Sequence, residues 1–309
     1  MRNLRTEDEI IANWKGDIEK PVVSICCITY NHEPYIEDAL EGFLIQETDF
    51  PFEILIHDDA STDRTADIIR EYEAKYPRLI KPIYQSENQY SKTINQSING
   101  QFNIPRALGE SLAFCEGDDY WLSKNKMQIQ LQIMKEKKVD FVFHSSISKS
   151  IEGEIVNSCY TESGFVSLKD HLLKGPQCSP LSSIMIKKQN LNDLDKLVEN
   201  FTRERLTHTF LQYCGFLNGD AYYINKEFSI YRLALPGSWT ERVRGSQKLF
   251  IANTIRHIDS LAIFKNKVFV DRKSYFYLRI LKILVKVILA KNLGFKEKIG
   301  ILMLFNNWI

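Results

Sequence analysis

Buried-strand patterns alternate with amphipathic helix patterns through the first half of the chain. Helical periodicity lies at 34–47, 62–76 and 123–138, and Pro34 is placed to begin the first helix. Near-continuous apolar runs, typical of strands covered on both faces, occupy 21–28, 52–57, 79–84, 111–115 and 139–144. This alternation predicts an α/β fold with a mostly parallel sheet and helices on both faces.

The pattern is looser beyond residue 146. A polar interval over 85–104, long for a connector, indicates either a mobile substrate loop or an ordered meander over the sheet. Shorter elements are predicted as a hairpin turning at Glu152-Gly153 and as strands at 181–186, 221–225 and 228–232.

Two short acidic strings follow predicted strands. The string HDDASTD covers 57–63 and the string CEGDDYW covers 115–121. Ligands bind at the carboxyl ends of strands in open α/β sheets, so we expect two adjacent strand ends to hold a nucleotide and a divalent cation together. The alternative is that both strings are turns and helix caps, since Asp and Ser favour both.

Composition limits the classes of function. The chain has 309 residues, of which 44% are hydrophobic, enough for one large domain or one domain with an extension. A net charge of +1 argues against nucleic-acid binding. The six cysteines show no CxxC spacing and the first residues form no apolar leader, so a cytoplasmic location is expected.

Phosphate-binding glycine loops are absent from the first predicted turn. Neither GxGxxG nor GxxxxGK[ST] follows residues 21–28. A divalent cation, Mn²⁺ or Mg²⁺, would then neutralise the phosphates, and Asp118 and Asp119 are suitable hard oxygen ligands. Trp121 is expected either to form a wall of this pocket or to pack in the core.

Three stretches together carry a resemblance. Residues 21–40, 52–72 and 107–130 are similar, in order, to the nucleotide-sugar half of family 2 glycosyltransferases of the GT-A fold. The Asp-x-Asp string of that family appears here as Glu116-Gly117-Asp118, followed by Asp119. The resemblance implies a GT-A, Rossmann-like fold for the domain.

The resemblance also implies roles for individual residues. Tyr30 and Asp59 would contact the base, with Asp58 nearby, and Glu116 would face the ribose. Asp118, helped by Asp119, would hold the metal on the diphosphate.

The second half matches the family in fewer places. Residues 231–239 are similar to a family stretch Tyr-Arg-x-His-x-x-Gly-x-Trp, with Ala234 at the His position. Arg232 would serve the leaving diphosphate or form a structural ion pair. Counted from this stretch, the position of the general base falls on His208, and Glu204 is the other candidate to orient it or act instead.

The C-terminal segment is basic. Residues 265–309 carry ten Lys or Arg against two acids, which leaves the first 264 residues with a charge of −7. Residues 275–290 are apolar nearly all round, broken by Arg279, Lys282 and Lys286 within one narrow arc. This pattern favours peripheral membrane contact through 272–309 over a helix packed on the domain with its cations solvated.

The predicted organisation is a glycosyltransferase domain over 1–264 and a basic amphipathic helical tail over 265–309. Within the domain, 21–145 would bind the nucleotide-sugar donor and 146–264 the acceptor. The predicted reaction is metal-assisted, inverting transfer from a UDP-sugar to a glycan or lipid-linked acceptor, at the inner face of the cell membrane.

Two alternatives to this function remain open. The chain is either this enzyme or a catalytically silent module that binds a nucleotide sugar and recruits a partner glycosyltransferase, which the departures at His208 and Ala234 would favour. A nucleotidyltransferase is a second rival, although its basic Gly-rich loop is missing after the first predicted strand.

Overall fold

One ten-stranded sheet organises the computed structural model, which describes residues 3–92, 97–150, 152–198, 207–233, 241, 243, 245–290 and 293–303. The strands are β1 (Val23–Thr29), β2 (Phe52–Asp58), β3 (Ile80–Tyr84), β4 (Ser111–Phe114), β5 (Tyr120–Trp121), β6 (Phe141–Ser150), β7 (Gly153–Asn157), β8 (Gly164–Val166), β9 (Met185–Lys187) and β10 (Ala221–Arg232).

Helices lie between and after these strands. The helices are α1 (Glu7–Ile11), α2 (Ile36–Leu44), α3 (Thr65–Lys75), α4 (Gln89–Lys92), α5 (Ile104–Arg106), α6 (Lys126–Lys137), α7 (Leu168–Lys174), α8 (Lys188–Leu197), α9 (His208–Cys214), α10 (Gln247–Ile263), α11 (Lys273–Leu289) and α12 (Phe295–Met303). Short π and 3₁₀ turns cover Asn99–Asn103, Pro176–Cys178, Leu181–Ser183, Phe264–Val268 and Val270–Arg272.

The strand order is β3-β2-β1-β4-β9-β6-β10-β5, with β7 paired to β6 and β8 paired to β10. Neighbours in the run β3-β2-β1-β4 are parallel, as are β6 and β10. The antiparallel β9 joins these two groups. The predicted α/β class with a mostly parallel sheet is confirmed.

The two acidic strings follow β2 and β4, and β1 lies between those strands. The expectation of two adjacent strand ends is therefore wrong by one strand. Parallel pairing still brings both strings to one edge of the sheet, because β1 is in register with each neighbour. The end of β1 thus becomes part of the site.

The predicted strands at 221–225 and 228–232 form the single strand β10. Its pairing with β6 shifts register between Ile224 and Glu227 and again between Glu227 and Ser229. Such irregularities bend a strand without ending it, which explains why the sequence predicted two strands separated at residues 226–227. The predicted hairpin at Glu152-Gly153 is the β6–β7 connection.

Two hydrophobic clusters cover the two faces of the sheet. Along β1, Cys26 belongs to one cluster and its neighbours Ile25 and Cys27 to the other, as strand alternation requires. The Cys26 cluster also contains Phe276 and Ile280 of α11. The tail helix therefore packs on the domain through one face, which was the alternative reading of this segment.

Two of the three cations in the tail helix also contact the domain. Arg279 is buried, and its guanidinium lies where a side chain on Gly175, just after α7, would collide with it. Lys282 Nζ donates to the carbonyl of Leu173, 3.1 Å away, in the last turn of α7. These cations neutralise the negative end of a helix. Both interpretations of this segment leave its cations at headgroups or in solvent, which is wrong for the buried Arg279.

Cys159 and Cys178 form a disulfide bond across a sequence separation of 19. The pair joins the segment after β7 to the turn Pro176–Cys178. The other four cysteines are free and buried. The sequence did not indicate this pairing, because neither residue belongs to a recognisable spacing motif.

Candidate functional site

The Glu116-Gly117-Asp118-Asp119 turn lies directly after β4. Gly117 N donates to the carbonyl of Ile28 at 2.9 Å, and Asp119 N donates to the carbonyl of Glu116 at 3.0 Å. A Cβ on Gly117 would stand 2.8 Å from Thr29 and 2.9 Å from His32 Nδ1. Glycine at this position is therefore required for the turn to approach the end of β1.

His208 is brought to this turn from the second half of the chain. It is the first residue of α9, whose cap is Thr207, and its Nε2 lies 3.4 Å from Glu116 Oε1. The His208 side chain keeps 48% of its exposure, so a second molecule can reach the ring.

Opposite charge couples this pair. Burial would raise the pKa of Glu116, but His208 lowers it below the ordinary value. Burial lowers the pKa of His208, and the Glu116 carboxylate more than offsets this, so the net shift is upward from 6.5. Each group therefore favours the charged form of the other.

The other two carboxylates of the turn are shifted the opposite way. Burial, opposed by His32 and reinforced by Glu116, raises the pKa of Asp118. Burial and the negative charges of Asp118 and Glu116 raise the pKa of Asp119 well above its usual range. Three crowded carboxyl groups thus share a site with an excess of negative charge, which a cation would relieve.

Arg232 holds the turn from the end of β10. Its backbone N–H donates to Asp119 Oδ1 at 2.9 Å, and its guanidinium donates to the carbonyl of Asp118 at 2.7 Å. The same guanidinium pairs with Asp38 and lies over the rings of Tyr35 and Tyr120. The ion-pair alternative for Arg232 is thus present in the structure.

Asp58 and Asp59 are buried at the end of β2 and already have partners. Asp58 accepts from the hydroxyl of Ser61 at 2.5 Å and from its backbone N–H at 3.1 Å. Asp59 accepts from the backbone N–H groups of Gln89 and Tyr90 at 2.7 and 3.0 Å. An ionised carboxylate has about four lone-pair sites, so Asp59 retains the capacity to accept a further donor.

Tyr30 is exposed and directly follows β1. The next residue, Asn31, has a φ of 55° and accepts from Thr62 N at 2.8 Å through its side-chain oxygen. Ser61 Oγ accepts from Asn31 N at 2.9 Å. The turns after β1 and β2 are therefore fixed to each other, with Tyr30 presented between them.

The part of the 85–104 interval that the structure describes is the ordered alternative. Asn88 Nδ2 donates to the carbonyl of Asp59 at 3.2 Å, and α4 begins where Asp59 accepts its first N–H groups. Residues 93–96 lie outside the described part of the chain.

Two neighbours of the Glu116–Asp119 turn were not predicted from the sequence. His32, in the turn after β1, was not predicted as a site residue, yet its Nε2 is 4.0 Å from Asp118 Oδ2. Its Nδ1 is buried with no hydrogen-bond partner within the described part of the chain. Asp38 in α2 was read only as part of a helix. Neither residue belongs to a sequence motif. Only the register of β1 with β4 would have shown that His32 lies beside Asp118.

The remaining candidate residues lie either in the core or outside the described ranges. Trp121 is fully buried, packs against Phe43 and donates to the carbonyl of Ser182, so it is a core residue and no pocket wall. Glu204 and Ala234 lie outside the described residues.

Within the described ranges, no three His, Cys, Asp or Glu side chains converge to hold a metal ion. The oxygen donors at the turn nevertheless suit Mg²⁺ or Mn²⁺, which proteins commonly hold through one or two carboxylates while substrate phosphates and water supply the rest. Asp118 is the better placed ligand, because Asp119 is buried and already accepts a hydrogen bond from Arg232.

Comparison with known sequences identifies relatives of this chain. The family model described as Glycosyl transferase family 2 matches residues 24–184, more than half of the chain. An uncharacterized protein of Mycobacterium tuberculosis is 46% identical over 112 residues, which cover 36% of this chain and 31% of that protein. The putative teichuronic acid biosynthesis glycosyltransferase TuaG of Bacillus subtilis is 35% identical over 133 residues, covering 43% and 48%. The matches thus span less than half the length of these relatives.

Solved structures resemble the whole described fold. S. aureus TarS in complex with UDP-GlcNAc superposes with a TM-score of 0.67 at 19% identity, covering 93% of this chain and 81% of that one. The mannosyltransferase PcManGT of Pyrobaculum calidifontis, in complex with GDP-Man and Mn²⁺, gives a TM-score of 0.52 at 16% identity, covering 95% and 81%. The predicted GT-A fold is confirmed. From its family match and its fold, the chain belongs to glycosyl transferase family 2.

Proposed function

We propose that the protein transfers a sugar from a UDP-sugar donor to a glycan acceptor with inversion at the anomeric carbon. The observation that carries this proposal is the contact between His208 and Glu116. It brings a titratable base to the turn formed by Glu116–Asp119, which we call the acidic turn. Family membership supports the reaction class. The donor class is supported by TarS, which has a similar fold and is described in complex with UDP-GlcNAc.

His208 is the proposed general base. In neutral imidazole one nitrogen carries the proton and the other accepts. A hydrogen bond from Nε2–H to Glu116 would leave Nδ1 to take the proton of the acceptor hydroxyl as its oxygen attacks the anomeric carbon. Glu116 then stabilises the imidazolium that forms, while its second oxygen stays available for the ribose.

Asp118 is the proposed ligand of a divalent metal, with Asp119 in support. Bound there, Mn²⁺ or Mg²⁺ would stabilise negative charge on the departing nucleoside diphosphate. Arg232 holds the turn that carries both carboxylates and adds a positive charge beside it. Support for the metal comes from the hard oxygen donors of this turn, since Mg²⁺ and Mn²⁺ are commonly held through one or two carboxylates.

The nucleoside is proposed to bind where the turns after β1 and β2 meet. Exposed Tyr30 would contact the base, and Asp59, with Asp58 behind it, would accept a base N–H. The hydrogen bonds of Ser61 and Asn31 keep this region preorganised, so little ordering is needed on binding.

The acceptor is proposed to be a growing glycan on a lipid carrier at the inner face of the cell membrane, reached through contact of 272–309 with that membrane. The basic tail supports this location. No helix among the described residues is long and apolar enough to cross a bilayer.

Hydrolysis and transfer from a panel of UDP-sugars, with and without Mn²⁺, tests the proposal. Release of UDP that requires the metal and increases with a glycan acceptor is expected. Binding of a UDP-sugar without release of UDP under any condition would instead identify the silent binding module, and release of pyrophosphate from a nucleoside triphosphate would identify the nucleotidyltransferase.

A further inference from the structure

Exposed apolar side chains are concentrated near the C-terminal end of the described chain. Of the sixteen large hydrophobic side chains that are exposed in the described ranges, nine lie between residues 270 and 303. Isolated exposed hydrophobic residues are ordinary, but a contiguous group indicates an interaction surface.

Helix α11 divides into three arcs. One arc is buried in the core and includes Phe276, Ile280, Ile283, Leu284 and Val287. A second carries the cations Arg279, Lys282 and Lys286. At about 100° per residue, a third arc of about 100° carries Leu278, Leu281, Val285, Ile288 and Leu289, which are 45% to 72% exposed. We call this third arc the apolar stripe.

Helix α12 continues the same character. It packs against α11 and buries Ile301 in the shared core, while Phe295, Ile299 and Met303, four residues apart, remain exposed. A helix packed on a domain through one face has no need of a second apolar face, so the stripe is unexplained by folding alone.

The charged residues around the apolar stripe indicate which kind of partner it contacts. Between 266 and 303, the exposed charged residues in the described ranges comprise one acid, Asp271, and the cations Lys267, Arg272, Lys273, Lys282, Lys286 and Lys296. A second copy of the chain would bring the same cations against one another, whereas a surface of anionic headgroups complements them.

We propose that the apolar stripe of α11, with the exposed face of α12, lies in the interfacial layer of a bilayer that contains anionic phospholipid. The aliphatic side chains enter the acyl boundary and the flanking lysines meet the headgroups. The stripe, rather than the Arg279 arc, is the lipid-facing side. This inference deepens the membrane location in the proposed function and does not depend on turnover.

Co-sedimentation of the full chain with vesicles tests this proposal. The chain should sediment with vesicles of phosphatidylcholine and phosphatidylglycerol, and less with phosphatidylcholine alone. The double substitution Leu281→Asp with Val285→Asp should lower the bound fraction about tenfold, because it places charge in the acyl boundary. Added salt should weaken binding by screening the lysines.

The matched control is Ile155→Asp with Val156→Asp. These residues of β7 are 70% and 54% exposed and lie outside the stripe, so the control should bind as the unmodified chain does. Absence of binding to anionic vesicles, or equal loss in both double variants, would refute the proposal. So would a stripe variant that changes only the oligomeric state in size-exclusion chromatography, which would assign the stripe to a second copy.

Metal-dependent release of UDP in solution separates this proposal from the proposed function. The stripe variant should retain it, because Leu281 and Val285 are exposed and neither is among the residues proposed to bind the donor or the metal. A chain that binds vesicles but releases no UDP would refute the proposed transferase activity and would not refute the proposed lipid-binding surface.

Discussion

His208 Nε2 lies 3.4 Å from Glu116 Oε1, and the two residues come from opposite halves of the chain. Glu116 follows β4 in the first half, whereas His208 begins α9 in the second. The acidic turn therefore supplies a carboxylate that orients a neighbouring group able to take a proton. Removing either member has a distinct consequence.

Replacing His208→Gln should reduce turnover about 10²- to 10⁴-fold, the usual contribution of a general base. Donor affinity should change little, because the ring contacts one oxygen of Glu116 and leaves the other for the ribose. Steady-state kinetics and calorimetric binding of UDP measure the two effects. If Glu204→Ala produces this loss and His208→Gln does not, the assignment of the base is wrong.

The pH dependence should report the raised pKa of His208. Since a base must be unprotonated, activity should rise with pH through a value above 6.5. In Glu116→Gln the carboxylate is gone, so this limb should move to lower pH. Rate profiles of both proteins measure the shift, and an unchanged limb in Glu116→Gln would show that another group titrates.

The raised pKa of His208 also determines how the stability of the fold changes with pH. The folded pKa of His208 lies above its unfolded value near 6.5. Its contribution to stability is therefore fully present below the unfolded pKa and is lost as pH rises through the folded pKa. Melting temperatures of the wild type and His208→Gln should converge across that window. A difference that stays constant with pH would contradict the coupling.

Asp118→Asn should abolish metal-dependent turnover while the fold remains. The substitution removes a charge from three crowded carboxyl groups, so the apo protein should be no less stable than the wild type. Mn²⁺ with UDP should raise the melting temperature of the wild type and not that of Asp118→Asn. Full activity of this variant would exclude Asp118 as the metal ligand.

The disulfide should stabilise the segment that it closes. Loss of a link across about 19 residues is expected to cost about 3 kcal/mol. Reductant should therefore lower the melting temperature of the wild type and leave that of Cys159→Ser unchanged. Equal responses of both proteins would show that the thiols are unpaired in solution.

The sequence predicted the longer strands and helices of the first half because their apolar patterns are local, whereas β5, α4 and α5 were not predicted. The apolar run that became β1 and the periodicity of α2 needed no tertiary information. The order of the strands was less accessible: both acidic strings end strands, but nothing local shows that β1 separates β2 from β4. Likewise, β10 was predicted as two strands, because its register shifts interrupt the apolar pattern.

Side-chain partners were the least predictable level. Arg232 was expected at a diphosphate or in an ion pair, and its bonds to the Asp118–Asp119 turn and to Asp38 depend on elements remote in sequence. The side of the tail helix that faces the domain was not predictable for a similar reason. Periodicity located its cations on one arc, but the side that faces the domain carries Phe276 and Ile280, which pack against residues remote in sequence.

Gly117 provides a test of the site that does not alter any charge. A methyl group there would stand 2.8 Å from Thr29 and 2.9 Å from His32 Nδ1, so the turn must withdraw from the end of β1. Gly117→Ala should cost about 1–3 kcal/mol in stability, the usual penalty of overpacking. Because Glu116 and Asp118 move with the turn, turnover should fall further than stability alone explains.

Gly164→Ala is the matched control, since a Cβ on Gly164 meets no atom within 4 Å. It should leave both the melting temperature and the release of UDP close to wild type. Urea unfolding and steady-state kinetics on the two variants give the comparison. A Gly117→Ala protein with wild-type kinetics would mean that the distance between the acidic turn and the end of β1 does not matter for catalysis. The carboxylates of that turn would then not act together with groups at the end of β1, and the proposed site would have to be redrawn around His208 alone.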